Sequence, residues 1–144
     1  MMDTVRTVSF FVFLIAGTVF DIRKRRIPLI LLLAAGAWGI LSYTICTGWT
    51  GSDLWDEIFG LLIGAVFIGI SLISEGKMGM GDAIAILVGG IYLGGSGSAF
   101  AVLYSLIIAA AVSAVILVLK RGSGKSELPF MPFLLAGCVI GQIM

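Results

Sequence analysis

The polar positions of this chain are few, and they fall between long apolar blocks rather than within them. The blocks run roughly over 4–23, 27–46, 54–74, 81–96, 98–119 and 128–144. Their apolar residues keep neither the recurrence of a helix lying half in water nor the alternation of a strand. Blocks apolar all round, near the ~20 residues needed to cross about 30 Å of hydrocarbon, read as membrane-spanning helices. The pattern predicts an all-α polytopic membrane protein with about six transmembrane helices, each boundary uncertain by about 2–4 residues. Composition agrees: 60% of the 144 residues are hydrophobic, 12% are charged, and the mean hydropathy is +1.17. A soluble domain would carry about twice that charged fraction. The chain therefore reads as a single membrane-embedded domain, 1–144, with little soluble mass and no basis for a nucleic-acid partner.

The net charge of +1 hides an asymmetry of position. With six crossings, Arg23, Lys24, Arg25, Arg26, Lys77, Lys120, Arg121 and Lys125 fall on one side and Arg6 alone on the other. Short loops obey the positive-inside rule, which makes the crowded side cytoplasmic and puts both termini outside. Tyr43, Trp49 and Trp55 gather near the opposite loop, where an interfacial aromatic belt would sit. A signal-peptide reading of the first block is weaker, because no small-residue cleavage site follows and the positive charge comes after the apolar run. The basic stretch 23–26 is read as a topology anchor and contact for anionic membrane lipids.

Asp21 and Asp82 stand out because each ends an apolar segment that is too short without it. From Thr7 to Phe20 the uninterrupted apolar run holds 14 residues. Extending it upstream takes in Arg6 and Asp3, so the helix continues at least as readily through Asp21. From Ala83 the chain soon reaches the glycine-rich stretch 93–97, so Asp82 is needed near the start of its span. Topology puts both acids on the cytoplasmic face at similar depth, and an ionisable group at membrane depth marks function by default.

Simpler readings exist for each: Asp21 pairing with Arg25 at i,i+4, and Asp82 as an acid favoured by a helix N-terminus. Neither explains the shared depth beside a Gly-x-Gly turn. Two carboxyls a few ångströms apart in a low-dielectric site share a proton, giving one base and one acid. That pair can hydrolyse a peptide bond with no metal, cofactor or covalent intermediate. The absence of histidine argues against Ser-His and Cys-His catalysis. A Ser74–Lys77 pair is weakly supported by its spacing.

Other signals are quieter. Cys46 and Cys138 form no C-x-x-C pair, so no zinc site is expected; they read as apolar packing residues, with a mutual disulfide as the lesser alternative. Pro28 and Pro129 suit the first turns of the second and sixth spans. Gly60 and Gly64 make a G-x-x-x-G step that permits close helix contact.

The segment Asp21-Ile22-Arg23-Lys24-Arg25-Arg26-Ile27-Pro28, the turn Gly79-Met80-Gly81-Asp82 and the stretch 125–133, with its Pro-Phe-Met-Pro-Phe, together resemble the type IV prepilin peptidases. These are membrane aspartic proteases of the Gly-x-Gly-Asp type. The resemblance covers nearly the whole chain. It implies a six-helix core with Asp21 and Asp82 as a cytoplasm-facing catalytic pair, and Gly79 and Gly81 as motif glycines that admit substrate backbone. It also implies removal of short basic leaders from prepilin-like proteins, cut on the cytoplasmic side of their hydrophobic helix in a prokaryotic cytoplasmic membrane. Pro129-Phe130 would take a supporting place comparable to the Pro-Ala-Leu of presenilin-like relatives.

Many family members carry a lysine where this chain has Ile84, and Lys77 is the residue able to replace its charge. The paired-cysteine methylating domain of larger members has no counterpart, which implies the short, peptidase-only branch. Glu75 and Glu127 suit a basic leader better than the basic stretch does. Two non-proteolytic alternatives stand beside this reading: a small transporter or channel component binding ions or protons at Asp21 and Asp82, and a passive assembly subunit.

Overall fold

The computed structural model describes residues 2–24, 27–46, 51–75, 79–119 and 128–143. They form α1 (Met2–Lys24), α2 (Leu29–Cys46), α3 (Gly51–Ile73), α4 (Met80–Val118) and α5 (Met131–Ile143), with no strand among the described residues. α1, α3 and α4 are each long and apolar enough to cross a membrane; α2 and α5 are apolar but shorter. Residues facing away from the bundle are themselves apolar, among them Ile30, Leu33, Ile73 and Val118. A helical bundle with such a surface is solvated by lipid tails, which have no partners for backbone polar groups.

The count of elements differs from the six expected blocks. The blocks 81–96 and 98–119 are one element, α4, broken at Gly94. No polar loop separates them, and Gly94 alone leaves helical geometry, at φ 69° and ψ −171°. That φ is readily adopted only by glycine. The break falls three residues before the Gly97 boundary read from the sequence.

A break within a helix strands the carbonyls of the turn before it and the N–H groups of the turn after it. Charged side chains meet both. The Arg6 guanidinium donates to the Ile91 carbonyl at 2.9 Å, just before the break. Asp56 Oδ1 accepts the Ser96 N–H at 3.3 Å, just after it. A cation at a helix C-terminus and an anion at an N-terminus also suit the helix dipoles.

Arg6 reaches further. It pairs with Glu57 at 3.1 Å and lies 5.2 Å from the ring centre of Tyr43. Tyr43 is thus buried against a cation rather than in an interfacial belt. Trp55 is exposed as expected, and Trp49 lies outside the described residues.

The core is built on Phe10 and Leu14 of α1, Leu32 of α2, Ile86 of α4, and Met131 and Cys138 of α5. Phe10 stacks on Tyr92 at 5.0 Å, and the Tyr92 hydroxyl donates to the Ala35 carbonyl at 2.8 Å. Cys138 is a buried free thiol rather than half of a disulfide, and the side chain of Cys46 lies outside the description.

The G-x-x-x-G step lets α3 and α4 touch backbone to backbone. A Cβ on Gly60 would stand 2.5 Å from the Gly90 carbonyl oxygen, and one on Gly64 would run into the Leu87 backbone. Backbone cannot rotate away as a side chain can. Gly60→Ala and Gly64→Ala are therefore expected to part the two helices and each lower stability by about 1–3 kcal/mol. Gly69→Ala, where nothing lies within 4 Å, should be neutral. Thermal unfolding of the three variants in detergent checks this; equal melting temperatures would refute the contact.

Candidate active site

Three sequence segments converge at the end of the bundle opposite Arg6. The first is the end of α1. It is mostly apolar from Thr7 to Phe20, and Asp21 then lies on the face turned inward, 6% exposed. Ile22, Arg23 and Lys24, the residues following it, are exposed.

The second is the start of α4. Gly79 holds its N-cap position in extended geometry, φ −60° and ψ 125°, and its carbonyl accepts the N–H groups of Asp82 and Ala83 at 3.1 and 3.3 Å. Asp82 thereby sits in the first turn of α4.

The third is the start of α5. The Phe130 carbonyl accepts the N–H groups of Phe133 and Leu134, both at 3.0 Å, and so opens the helix. Pro129 lies two residues ahead of α5 rather than in its first turn, and Pro132 takes that place instead.

The segments are stitched together by specific contacts. Asp21 Oδ2 accepts the Met131 N–H at 3.1 Å, across 110 residues of chain. That N–H is one of the unpaired donors of a helix's first turn, so α1 supplies the cap that α5 lacks. Gly81 stands against Ile27, whose side chain would be 3.4 Å from a Cβ there. Asp21 ends α1 and Asp82 opens α4 at this same end of the bundle. Gly79 leaves room for the second acid, since a Cβ at that position would lie 2.9 Å from Asp82 Oδ2.

The expected residues thus fall as follows. Asp21, Gly79, Gly81, Asp82, Pro129 and Phe130 all lie at this end, and Phe130 packs on the edge of the core. Lys77, Arg25 and Glu127 lie outside the described residues, and with them both the Asp21–Arg25 pair and the Ser74–Lys77 pair. The Ser74 hydroxyl donates to the Ser71 carbonyl at 3.2 Å. Ile84, in the place of the family lysine, packs against the hydrophobic core. Glu75 is exposed at the end of α3. Asp82 does occupy a position that a helix dipole favours, but that alone does not account for Asp21 beside it.

Sequence reasoning missed Met131 and Ile27, which hold the segments to one another. The signal for Met131 was its place between the two prolines of the Pro-Phe-Met-Pro-Phe stretch. Among the described residues, no three His, Cys, Asp or Glu side chains gather as metal ligands do. A cavity of about 150 Å³ is lined by Tyr43, Glu57, Ile91 and neighbouring apolar residues at the opposite end. It has no part in the chemistry of the two acids.

Because Asp21 caps α5, its loss has a structural cost separable from any chemical one. Asp21→Ala removes the acceptor and should destabilise the protein by about 1 kcal/mol. Asp21→Asn retains an acceptor oxygen and should unfold near the wild-type temperature. Thermal denaturation of both purified variants measures the difference, and an equal loss in both would contradict the cap.

Comparison with known proteins supplies the family. The sequence model of the type IV leader peptidase family matches residues 8–118, more than half of the chain and inclusive of both aspartates. No curated protein and no solved structure matches. With its apolar helical bundle, a peptidase family model over most of its length and two acids brought to one end, this chain belongs to the type IV leader peptidase family.

Proposed function

We propose that the chain is a membrane aspartic endopeptidase in which Asp21 and Asp82 form the catalytic pair. The observation that carries the reading is the placement of these two acids, from distant segments, at one end of the bundle. One is buried and fixed by a backbone N–H; the other is set in a helix's first turn beside a glycine. The ionised member takes a proton from a water molecule, which attacks the scissile carbonyl carbon. The protonated member donates to the carbonyl oxygen as the tetrahedral intermediate forms. Proton return to the leaving nitrogen then breaks the C–N bond. Each acid ends the cycle as it began once the two have exchanged roles, and no metal takes part.

The substrates are prepilin-like proteins with a short basic leader ahead of a hydrophobic helix, cut at the cytoplasmic face of the membrane. The excess of Lys and Arg around the acid end supports that orientation. Exposed Glu75 is suited to the leader's positive charge. The motif glycines Gly79 and Gly81 admit substrate backbone, and Lys77 supplies the charge that Ile84 does not.

The domain is one unit over 1–144 and crosses the membrane six times, because α4 crosses twice. A straight helix of its 39 residues would measure about 58 Å, against about 30 Å of hydrocarbon. Ile86 before the break and Val102 after it line one small cavity, as they would in a hairpin. A transporter would instead carry such acids near the midplane of the bilayer, whereas these stand at helix ends.

Asp21→Asn and Asp82→Asn are each expected to lower leader cleavage by more than about a thousandfold, while both proteins accumulate in membranes as the wild type does. The assay follows the mobility shift of a co-expressed prepilin-like substrate. Full processing by either variant would sink the dyad. Activity should also survive exhaustive chelation; loss restored by an added divalent metal would replace this mechanism with a metalloprotease one.

A further inference from the structure

Met131 has no role in the chemistry above, yet it touches the site twice. Its N–H binds Asp21 Oδ2. Its side chain, fully buried, reaches back to Gly17, one turn before Asp21 on the same face of α1. The thioether methyl stands 2.5 Å from where a Cβ on Gly17 would be, with the sulfur at 3.5 Å. A side chain at position 17 would make the end of the Met131 side chain move aside. The start of α5 is therefore clamped on α1 at two points four residues apart, one of them the carboxylate itself.

We infer that Met131, seated in the Gly17 notch, is the positioning residue for Asp21. The inference rests on the dyad reading and adds to it what holds the first acid in place. A carboxylate at the end of a helix retains rotation about two side-chain bonds. The Met131 N–H fixes one of its oxygens, and the Gly17 contact fixes the N–H relative to α1. The backbone group does the orienting, and the side chain keeps it in register. Displacement of a reacting group by about 1 Å can lower turnover about a hundredfold, so a loosened Asp21 should slow cleavage without weakening substrate binding.

The test separates the N–H from the side chain. Met131 is the first residue of α5, where proline is well tolerated, and Phe130 ahead of it stands at the cap position, where extended backbone is usual. Met131→Pro therefore deletes both the donor and the buried side chain, and Met131→Ala deletes the side chain alone, so the difference between them isolates the N–H. In purified protein assayed on a prepilin-like substrate, kcat of Met131→Pro should fall about ten- to hundredfold below that of Met131→Ala, with KM alike.

Equal kcat in the two variants, at equal folded fraction, would overturn the inference. A purely structural cap would lower the melting temperature and leave kcat per folded molecule unchanged, which also overturns it. Should Met131→Pro not accumulate, the notch decides. Gly17→Leu should lower kcat, and Gly17→Leu with Met131→Ala should restore it; wild-type turnover by Gly17→Leu alone refutes positioning. Failure of the dyad reading is distinct, since it requires cleavage by Asp21→Asn or Asp82→Asn.

Discussion

A backbone N–H or carbonyl in hydrocarbon has to find its partner inside the protein, and the charged side chains of this chain are placed where helices fail to supply one. Arg6 and Asp56 answer the carbonyl and the N–H on either side of the Gly94 break. Asp21 answers the N–H at the start of α5. Each of these charges meets a backbone group that its helix leaves unpaired. Asp21 differs from the other two because a second acid, Asp82, opens α4 at the same end of the bundle. The same demand that makes a carboxylate tolerable at this depth also fixes where it sits.

Glycine makes the rest possible. Without side chains at Gly60, Gly64 and Gly90, α3 and α4 meet through their backbones. Gly94 takes the one conformation that turns α4. Gly17 receives Met131, and Gly79 clears the Asp82 carboxylate. With no hydrophobic driving force between helices in lipid, close packing of this kind is what holds a bundle together. The glycines therefore set stability at the centre of the protein and geometry at its active end.

The blocks of apolar sequence located nearly every helix, because membrane spans announce themselves by length and composition alone. What they could not show was that two blocks are joined at Gly94 with no loop. The turn rests on one residue's φ and on Arg6 and Asp56, which lie far away in sequence. The shared end of Asp21 and Asp82 was legible, since span length and charge fixed it independently. Their supports were not. Met131 meets Asp21 through a backbone N–H, which every residue but proline has, so its one signal was its place between the two prolines. Tyr43 misled for a related reason: an aromatic near a loop is an interfacial anchor by default, and only the fold reveals Arg6 against its ring.

The cavity lined by Tyr43, Glu57 and Ile91 and the acids lie at opposite ends of the bundle. For a soluble protease that would be a difficulty, because a pocket selects the substrate and presents the bond. A substrate whose own hydrophobic helix lies in the bilayer is presented differently. The hydrocarbon fixes the depth of that helix, and the bond just beyond its end arrives at the level of the headgroups. An enzyme acting there needs two acids held at that depth at the edge of its bundle, with glycines on one side to let an extended chain pass. On the proposed dyad reading, Asp21 at the end of α1 and Asp82 beside Gly79 and Gly81 would meet that requirement, with the bilayer performing the selection that a deep pocket performs elsewhere.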